Sequence, residues 1–238
     1  MNKKVIRHIF SKILSYIGYW ASKSPLYTIY FNFRYLPLNQ VKHLPILIYD
    51  TFVVGTPKIF IDSDTVSYGM IKIGRIGNNI FNPSKSTLTF WDKGKVNFQG
   101  TCKLSRGCHI RVQGNAILDI GDNFYLSSNL NLQCDKSISI GRNVTIGWNV
   151  SILDTDYHKY FDITKQRYSI PSKPIVVEDN VWIGYGCSIM KGTHIAQHTI
   201  VSAGSVVSGN FMAENVVIKG NPATVARDNV MIDEQNFW

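Results

Sequence analysis

The sequence predicts an all-β chain wound as a parallel β-helix, preceded by a helical and irregular N-terminal extension. Three observations predict it. First, an aliphatic or aromatic residue returns at every sixth position: Phe98, Leu104 and Ile110; then Ile120, Leu126, Leu132 and Ile138; then Ile140, Ile146 and Ile152. Second, after a gap the series resumes as Val177, Ile183, Ile189, Ile195, Val201 and Val207. Third, a small or apolar residue follows many of these four positions later, as at Cys102, Cys108, Val144, Val150, Val181, Cys187, Thr193, Thr199 and Ser205. A period of six is neither the 2 of an ordinary strand nor the 3.6 of a helix. It is one short flat strand plus one corner. Three such units close a coil, whose strands pair with the next coil at about 4.8 Å, so each inward residue is expected to stack on another about 18 positions away. Gly141, Gly147 and Gly184 follow inward residues, where the chain must turn tightly.

The elements follow in chain order. Residues 1–48 read as a basic helical segment. Val5, Ile6, Ile9, Phe10, Ile13, Leu14 and Ile17 share one helical face, while Lys4, Arg7, His8, Ser11, Lys12 and Ser15 share the other. Such a helix can pack on the protein or a neighbouring subunit, or dock on an anionic membrane. Residues 49–97 are an irregular, β-rich lead-in broken by Pro57 and Pro83. The β-helix itself is expected over 98–225, with residues 154–174 leaving it as a loop, and 226–238 form a tail.

Composition narrows the function. The 238 residues carry a net charge of +9, and residues 1–60 hold eight Lys and Arg against Asp50 alone. An anionic partner should therefore meet the N-terminal segment first; no nucleic-acid partner is expected. Cys102, Cys108, Cys134 and Cys187 form no C-x-x-C pair and no disulfide framework, which points to reduced, buried thiols in a cytoplasmic protein. No cleaved leader is evident, and no run approaches the roughly 18 apolar residues of a membrane span.

The order and spacing of NFYLSSNLNLQCDKSISIGRNV, DTDYH, NVWIGYGCSI and GNPA make residues of about 98–225 resemble the hexapeptide-repeat acyltransferases, in their galactoside and maltose O-acetyltransferase branch. The resemblance implies a left-handed β-helix, although parallel crossovers are otherwise nearly always right-handed. It also implies a homotrimer, acetyl-CoA as co-substrate, no metal, and a saccharide acceptor. His158, in the break of the repeat, matches the family's catalytic base. A neutral imidazole suits removal of a hydroxyl proton near neutral pH. Tyr185, following the VWIG motif, would offer its backbone N–H to the oxyanion, and Trp182 would wall the acyl pocket. Asn129 and Asp135 match acceptor-binding positions. Asp154 and Asp156 are both candidates to hold the second imidazole nitrogen. Cys187 reads as core rather than nucleophile.

For coenzyme A, the resemblance implies that Ala203 and Gly204 leave room for the pantetheine arm. Gly220, Asn221, Pro222 and Ala223 would turn beside the nucleotide. The chain departs from the family at Ser208-Gly209, where Thr-Lys is usual, and at Thr224, where a cation is usual. Lys219 and Arg227 are then the cations left to meet the 3′-phosphate. Three other functions fit parts of the pattern. One is a zinc enzyme resembling the γ-class carbonic anhydrases, built from His109, His158, His194 and His198. The second is a β-helix that binds glycan without catalysis, and the third an N-acyltransferase acting on an amino-sugar nucleotide. The expected location is the cytoplasm, with residues 1–22 as a peripheral contact to the inner face of the membrane.

Overall fold

A computed structural model of the protein describes residues 25–75 and 84–232. The amphipathic stretch at residues 1–17 lies outside them. Three parallel sheets form the three faces of a prism. The first face begins at β1 (Ile46–Ile48), the second at β2 (Thr51–Gly55) and the third at β3 (Lys58–Ile61). Apart from the two strands of an outlying hairpin, every third strand thereafter returns to the same face, so β1 pairs with β4 (Ile71–Arg75), and β4 with β7 (Cys102–Ser105). The residues of the six-fold series point inward and are buried, from Phe98 through Ile152 and from Val177 through Val207. Aliphatic burial along this column supplies the main favourable term.

The β-helix starts earlier than residue 98. Residues 49–97, expected to be an irregular lead-in, form coils in register with the rest: Ile46 pairs with Ile71, and Ile71 with Cys102. The chain between consecutive strands is longer here, nine residues between Ile61 and Ile71 and ten between Arg75 and Ser86, which destroys the spacing of six that betrays the later coils. The tightest spacing occurs late, where Trp182 pairs with Ile200 and Ile200 with Val217. Even in the middle, Tyr125 pairs with Thr145, 20 positions on rather than 18. Corners there carry an additional Asn in the left-handed region: Asn123, Asn129, Asn143 and Asn149 all have φ between 54° and 58°. Asn tolerates that region better than most residues because its short polar side chain bonds locally. At the far end, Val217–Gly220 and Ala223–Arg227 close the first face as an antiparallel pair, two residues beyond the expected boundary at 225.

The N-terminal end of the prism would expose a strand edge, and α1 (Pro25–Tyr35) covers it. Its buried residues Tyr27, Thr28, Phe31 and Asn32 lie three and four apart, on one helical face. Asn32 Nδ2 donates to the Ile46 carbonyl (2.7 Å), and its Oδ1 accepts from the Ile46 N–H (3.1 Å). Thr28 Oγ1 does the same for the carbonyl and N–H of Ile48, at 3.2 Å each. Two side chains thus take the place of the missing preceding strand. Among the described residues, no helix is long and apolar enough to cross a membrane.

Candidate functional site

The prism has three corners, and the residues singled out by sequence divide among them. Residues 154–174 leave the corner between the second and third faces, between β14 (Ser151–Leu153) and β17 (Ile175–Val177). They return as a hairpin in which Phe161–Asp162 pairs with Arg167–Tyr168, and the rings of Phe161 and Tyr168 meet edge-on at 5.2 Å. Lys191, on the next coil, ties the hairpin down. Its ammonium donates to the carbonyls of Ile170 (2.7 Å) and Pro171 (3.3 Å) and pairs with the Asp156 carboxylate.

His158 stands at the base of this hairpin and is exposed. Its N–H donates to the Asp156 carbonyl (2.7 Å) across Tyr157, whose φ is +61°. That is a γ-turn centred on a bulky residue in the left-handed region, a strained backbone of the kind that collects at functional positions. The turn sends the two side chains apart. Tyr157 folds back and donates from its hydroxyl to Gln133 Oε1 (2.7 Å), while His158 faces outward.

Neither aspartate proposed to orient the imidazole does so. Asp154 is fully buried and accepts the backbone N–H groups of Asp135 and Lys136, each at 2.7 Å, so it closes the corner of the preceding coil. Asp156 is committed to Lys191. Burial holds the Asp154 carboxyl above the usual carboxylate range, and those two N–H bonds oppose the shift without cancelling it. The folded protein therefore takes up the Asp154 proton at a higher pH than the unfolded chain. Its contribution to stability is fully present below the unfolded value and is lost as pH rises through the folded one. Asp154→Asn should cost about 1–3 kcal/mol at neutral pH, because an amide accepts at one atom where the carboxylate accepts at two. Urea midpoints measured between pH 4 and 7 should show the wild type gaining on the variant as pH falls.

Asp135 sits at the same corner. It accepts from Gln113 Nε2 and from Ser172 Oγ (3.2 Å), so the predicted acceptor carboxylate is braced by the loop beside His158. Ser208, from the sequence-predicted cofactor set, is also at this corner, two coils beyond the one that carries the loop.

A second group gathers at the corner between the first and second faces. Asn129 Nδ2 donates to Asn149 Oδ1 (3.0 Å), and Asn149 Nδ2 to the Tyr185 hydroxyl (3.2 Å). The Gly204 N–H donates to the Tyr185 carbonyl (2.8 Å). Asn129, Tyr185 and Gly204 therefore form one column, and Asn149 is the member that sequence reasoning missed. Its signal was available: Asn149 repeats Asn129 one coil later. Gly147 lets the preceding coil approach closely, since a Cβ there would come within 2.9 Å of the Tyr185 nitrogen. Trp182 lies on the first face next to this column, paired with Thr145 and Ile200, and is partly exposed.

The late coils suit a narrow chain lying along their outside. Ala203 and Gly204 are exposed, and a Cβ built on Gly204 meets nothing within 4 Å. Lys219, Asn221, Pro222 and Arg227 are exposed on the terminal antiparallel pair, and Lys219 and Arg227 join no ion pair among the described residues. Two cations within one hairpin fit the charge of a nucleotide phosphate.

Within one chain, His158 and Tyr185 do not meet. They occupy different corners of the prism, separated by the second face, a distance on the order of 15 Å from the strand rise. Cys187 is buried at an inward position, its thiol donating to the Ser202 carbonyl (3.1 Å), and burial pushes the thiol up, away from nucleophilic use. The four histidines weighed as zinc ligands are dispersed. His109 contacts Ser84 Oγ (3.1 Å) on the second face and His194 contacts Glu178 (2.6 Å) on the third.

Comparison with known proteins agrees with this architecture. Residues 174–208 match the family model described as the hexapeptide repeat of succinyl-transferase. A Saccharomyces cerevisiae protein provisionally named as an acetyltransferase is 39% identical over 109 residues, 45% of this chain and 54% of that one. The Escherichia coli galactoside O-acetyltransferase is 35% identical over 113 residues, 47% of this chain and 54% of that one. The chain thus spans about half the length of these relatives. The crystal structure of the polySia-specific acetyltransferase NeuO superimposes with a TM-score of 0.58 at 19% identity, covering 79% of this chain and 80% of that one, a likeness of fold. The prism is the left-handed parallel β-helix. In fold, in repeat and in the sequence of its later coils, the chain resembles the hexapeptide-repeat acyltransferases of the galactoside and maltose O-acetyltransferase branch.

Proposed function

We propose that the protein is an O-acetyltransferase that moves an acetyl group from acetyl-CoA to a saccharide hydroxyl, with His158 as general base. One observation carries the reading: an exposed imidazole, bonded to no carboxylate among the described residues, on a strained turn at the only hairpin that leaves the described coils. Acetyl-CoA supplies the activated acyl group as its thioester. A ring nitrogen of His158 takes the proton of the sugar hydroxyl as its oxygen attacks, and returns a proton to the departing sulfur. The Tyr185 backbone N–H stabilises the charge on the tetrahedral oxygen, a contribution of about 2.7–4 kcal/mol for such donors. Trp182 bounds the acyl group. Asn129 and Asp135 bind acceptor hydroxyls. Ala203, Gly204, Ser208, Asn221 and Pro222 line the path of the pantetheine arm, with Lys219 and Arg227 at its phosphate end. No covalent enzyme intermediate is needed.

The separation of His158 from Tyr185 supports a homotrimer. Packing three prisms side by side sets the hairpin corner of one subunit against the Tyr185 corner of the next, and closed symmetry satisfies all three interfaces at once. The assay that tests the function incubates the protein with acetyl-CoA and a panel of neutral, acidic and amino sugars, and identifies acetylated products by mass. Ester products support the reading. Exclusive amide formation on amino-sugar nucleotides would replace it with N-acyl transfer.

The cationic segment at residues 1–22 is proposed to hold the enzyme against an anionic membrane. Deleting it should abolish cosedimentation with vesicles containing phosphatidylglycerol. Unchanged cosedimentation would remove this part of the reading.

A further inference from the structure

The corner that carries His158 continues toward the N-terminal coils as a shelf of a different chemistry. The register places Arg111 beside Gln133 on the outside of the second face, with Trp91 just beyond the end of the neighbouring strand. The Arg111 guanidinium carbon lies 4.8 Å from the centre of the Trp91 ring and 5.6 Å from that of Tyr157. Both rings are about half exposed, at 51% and 47%. Gln133 links to the same group, accepting from the Tyr157 hydroxyl and donating to Asn131 Oδ1 (2.8 Å). Two aromatic faces, a guanidinium and a pair of carboxamides thus stand together on three successive coils and one loop.

The guanidinium is the unexplained member. Arg111 joins no ion pair among the described residues, and its Nε is buried with no hydrogen-bond partner there. Asp135, two residues beyond Gln133, is engaged by Gln113 and Ser172. Structural arginines held between rings are normally paired at their edge, because the planar fork offers donors that a carboxylate fills. Here the Trp91 and Tyr157 rings lie against the guanidinium and the Tyr157 side chain also hydrogen-bonds it, but no carboxylate among the described residues does. A guanidinium without a carboxylate partner beside half-exposed rings is the arrangement expected of a site that takes an anion.

We infer that Trp91, Arg111 and Tyr157 form an acceptor subsite for a negatively charged sugar residue. The rings stack on the apolar face of a pyranose, Arg111 takes its anionic substituent, and Gln133 and Asn131 bond its hydroxyls. The inference rests on the acetyl-transfer reading only in that it makes the charged sugar part of the acceptor. Tyr157 adjoins His158 in sequence, so a residue held on this shelf lies within a few coil steps of about 4.8 Å from the reacting hydroxyl. The acceptor would then be an oligosaccharide or polymer rather than a free monosaccharide. The turn at Tyr157 serves both sites, pinning one ring of the subsite while it projects the base.

Calorimetric titration of the full chain tests this, with trigalacturonate, the matched neutral galactotriose and monomeric galacturonate as probes. The acidic trimer should bind about tenfold more tightly than the neutral one at low salt, and more tightly than the monomer. Arg111→Gln should erase the preference for the acidic trimer. Trp91→Ala should weaken both trimers by about tenfold, with Trp91→Phe restoring most of the loss. His158→Ala should bind the acidic trimer as the wild type does. Equal affinity for the two trimers, equal affinity for trimer and monomer, or wild-type binding by both Arg111→Gln and Trp91→Ala would overturn the subsite. Binding as expected with no acetyl transfer to any sugar leaves the subsite standing and removes the enzyme reading. Transfer without the binding preference does the reverse.

Discussion

Replacing His158 by alanine is expected to lower kcat for acetyl transfer by about 10²- to 10⁴-fold while leaving the thermal unfolding curve where it was. Both halves follow from position. The side chain is exposed and bonds to no carboxylate among the described residues, so its removal opens no cavity and strands no buried polar group. The backbone turn that presents it is held by the His158 N–H, which alanine retains. A general base acts only as the hydroxyl proton leaves, so the loss should fall on kcat, with the KM values for acetyl-CoA and acceptor near those of the wild type. His158→Gln is the useful companion, since it keeps polarity and approximate size without basicity. A variant of either kind with wild-type turnover would show that the imidazole takes no part in the chemistry. A fall in stability matching the fall in rate would assign His158 to the loop's architecture instead.

The second large effect is on stability and lies at the opposite end of the prism. Asn32→Leu should destabilise the fold by about 3 kcal/mol, because the buried N–H and carbonyl of Ile46 each lose their partner. Asn32 is completely buried, and water cannot take its place without opening the helix from the strand. For a chain of this size the loss corresponds to a fall in Tm of roughly 6–12 °C. The uncovered edge of β1 also becomes a template for pairing with another chain, so aggregation on heating should begin earlier. Asn32→Asp is an informative contrast: a carboxylate can accept from the Ile46 N–H but cannot donate to the carbonyl, and it brings a buried charge. Differential scanning calorimetry with light scattering checks both variants. An unchanged Tm for Asn32→Leu would mean that the cap contributes nothing that solvent cannot.

Some of this was legible from one dimension. The buried column from Phe98 to Val207 was readable because each coil buries aliphatic residues at a fixed phase, and burial is a property that a residue type advertises. The loop at 154–174 was readable as the place where that phase breaks. The coils between Ile46 and Phe98 were not, because insertions at two corners shift the phase although the register between strands is kept. Backbone pairing tolerates such insertions freely, since the ladder bonds do not depend on side-chain identity.

At the candidate site the division is similar. The class of fold, the outlying histidine and the glycines that turn the corners could be read along the chain, because each depends on local preference or on burial repeated at a fixed spacing. The sequence alone offered Asp154 and Asp156 as equal partners for His158. Only the tertiary structure showed that one closes the corner at Asp135 and the other is held by Lys191. The same is true of the Trp91–Arg111–Tyr157 shelf, whose members lie 20 and 46 positions apart in the chain. Which side chains become neighbours across coils is set by the accumulated length of every corner between them, a sum that no local pattern records.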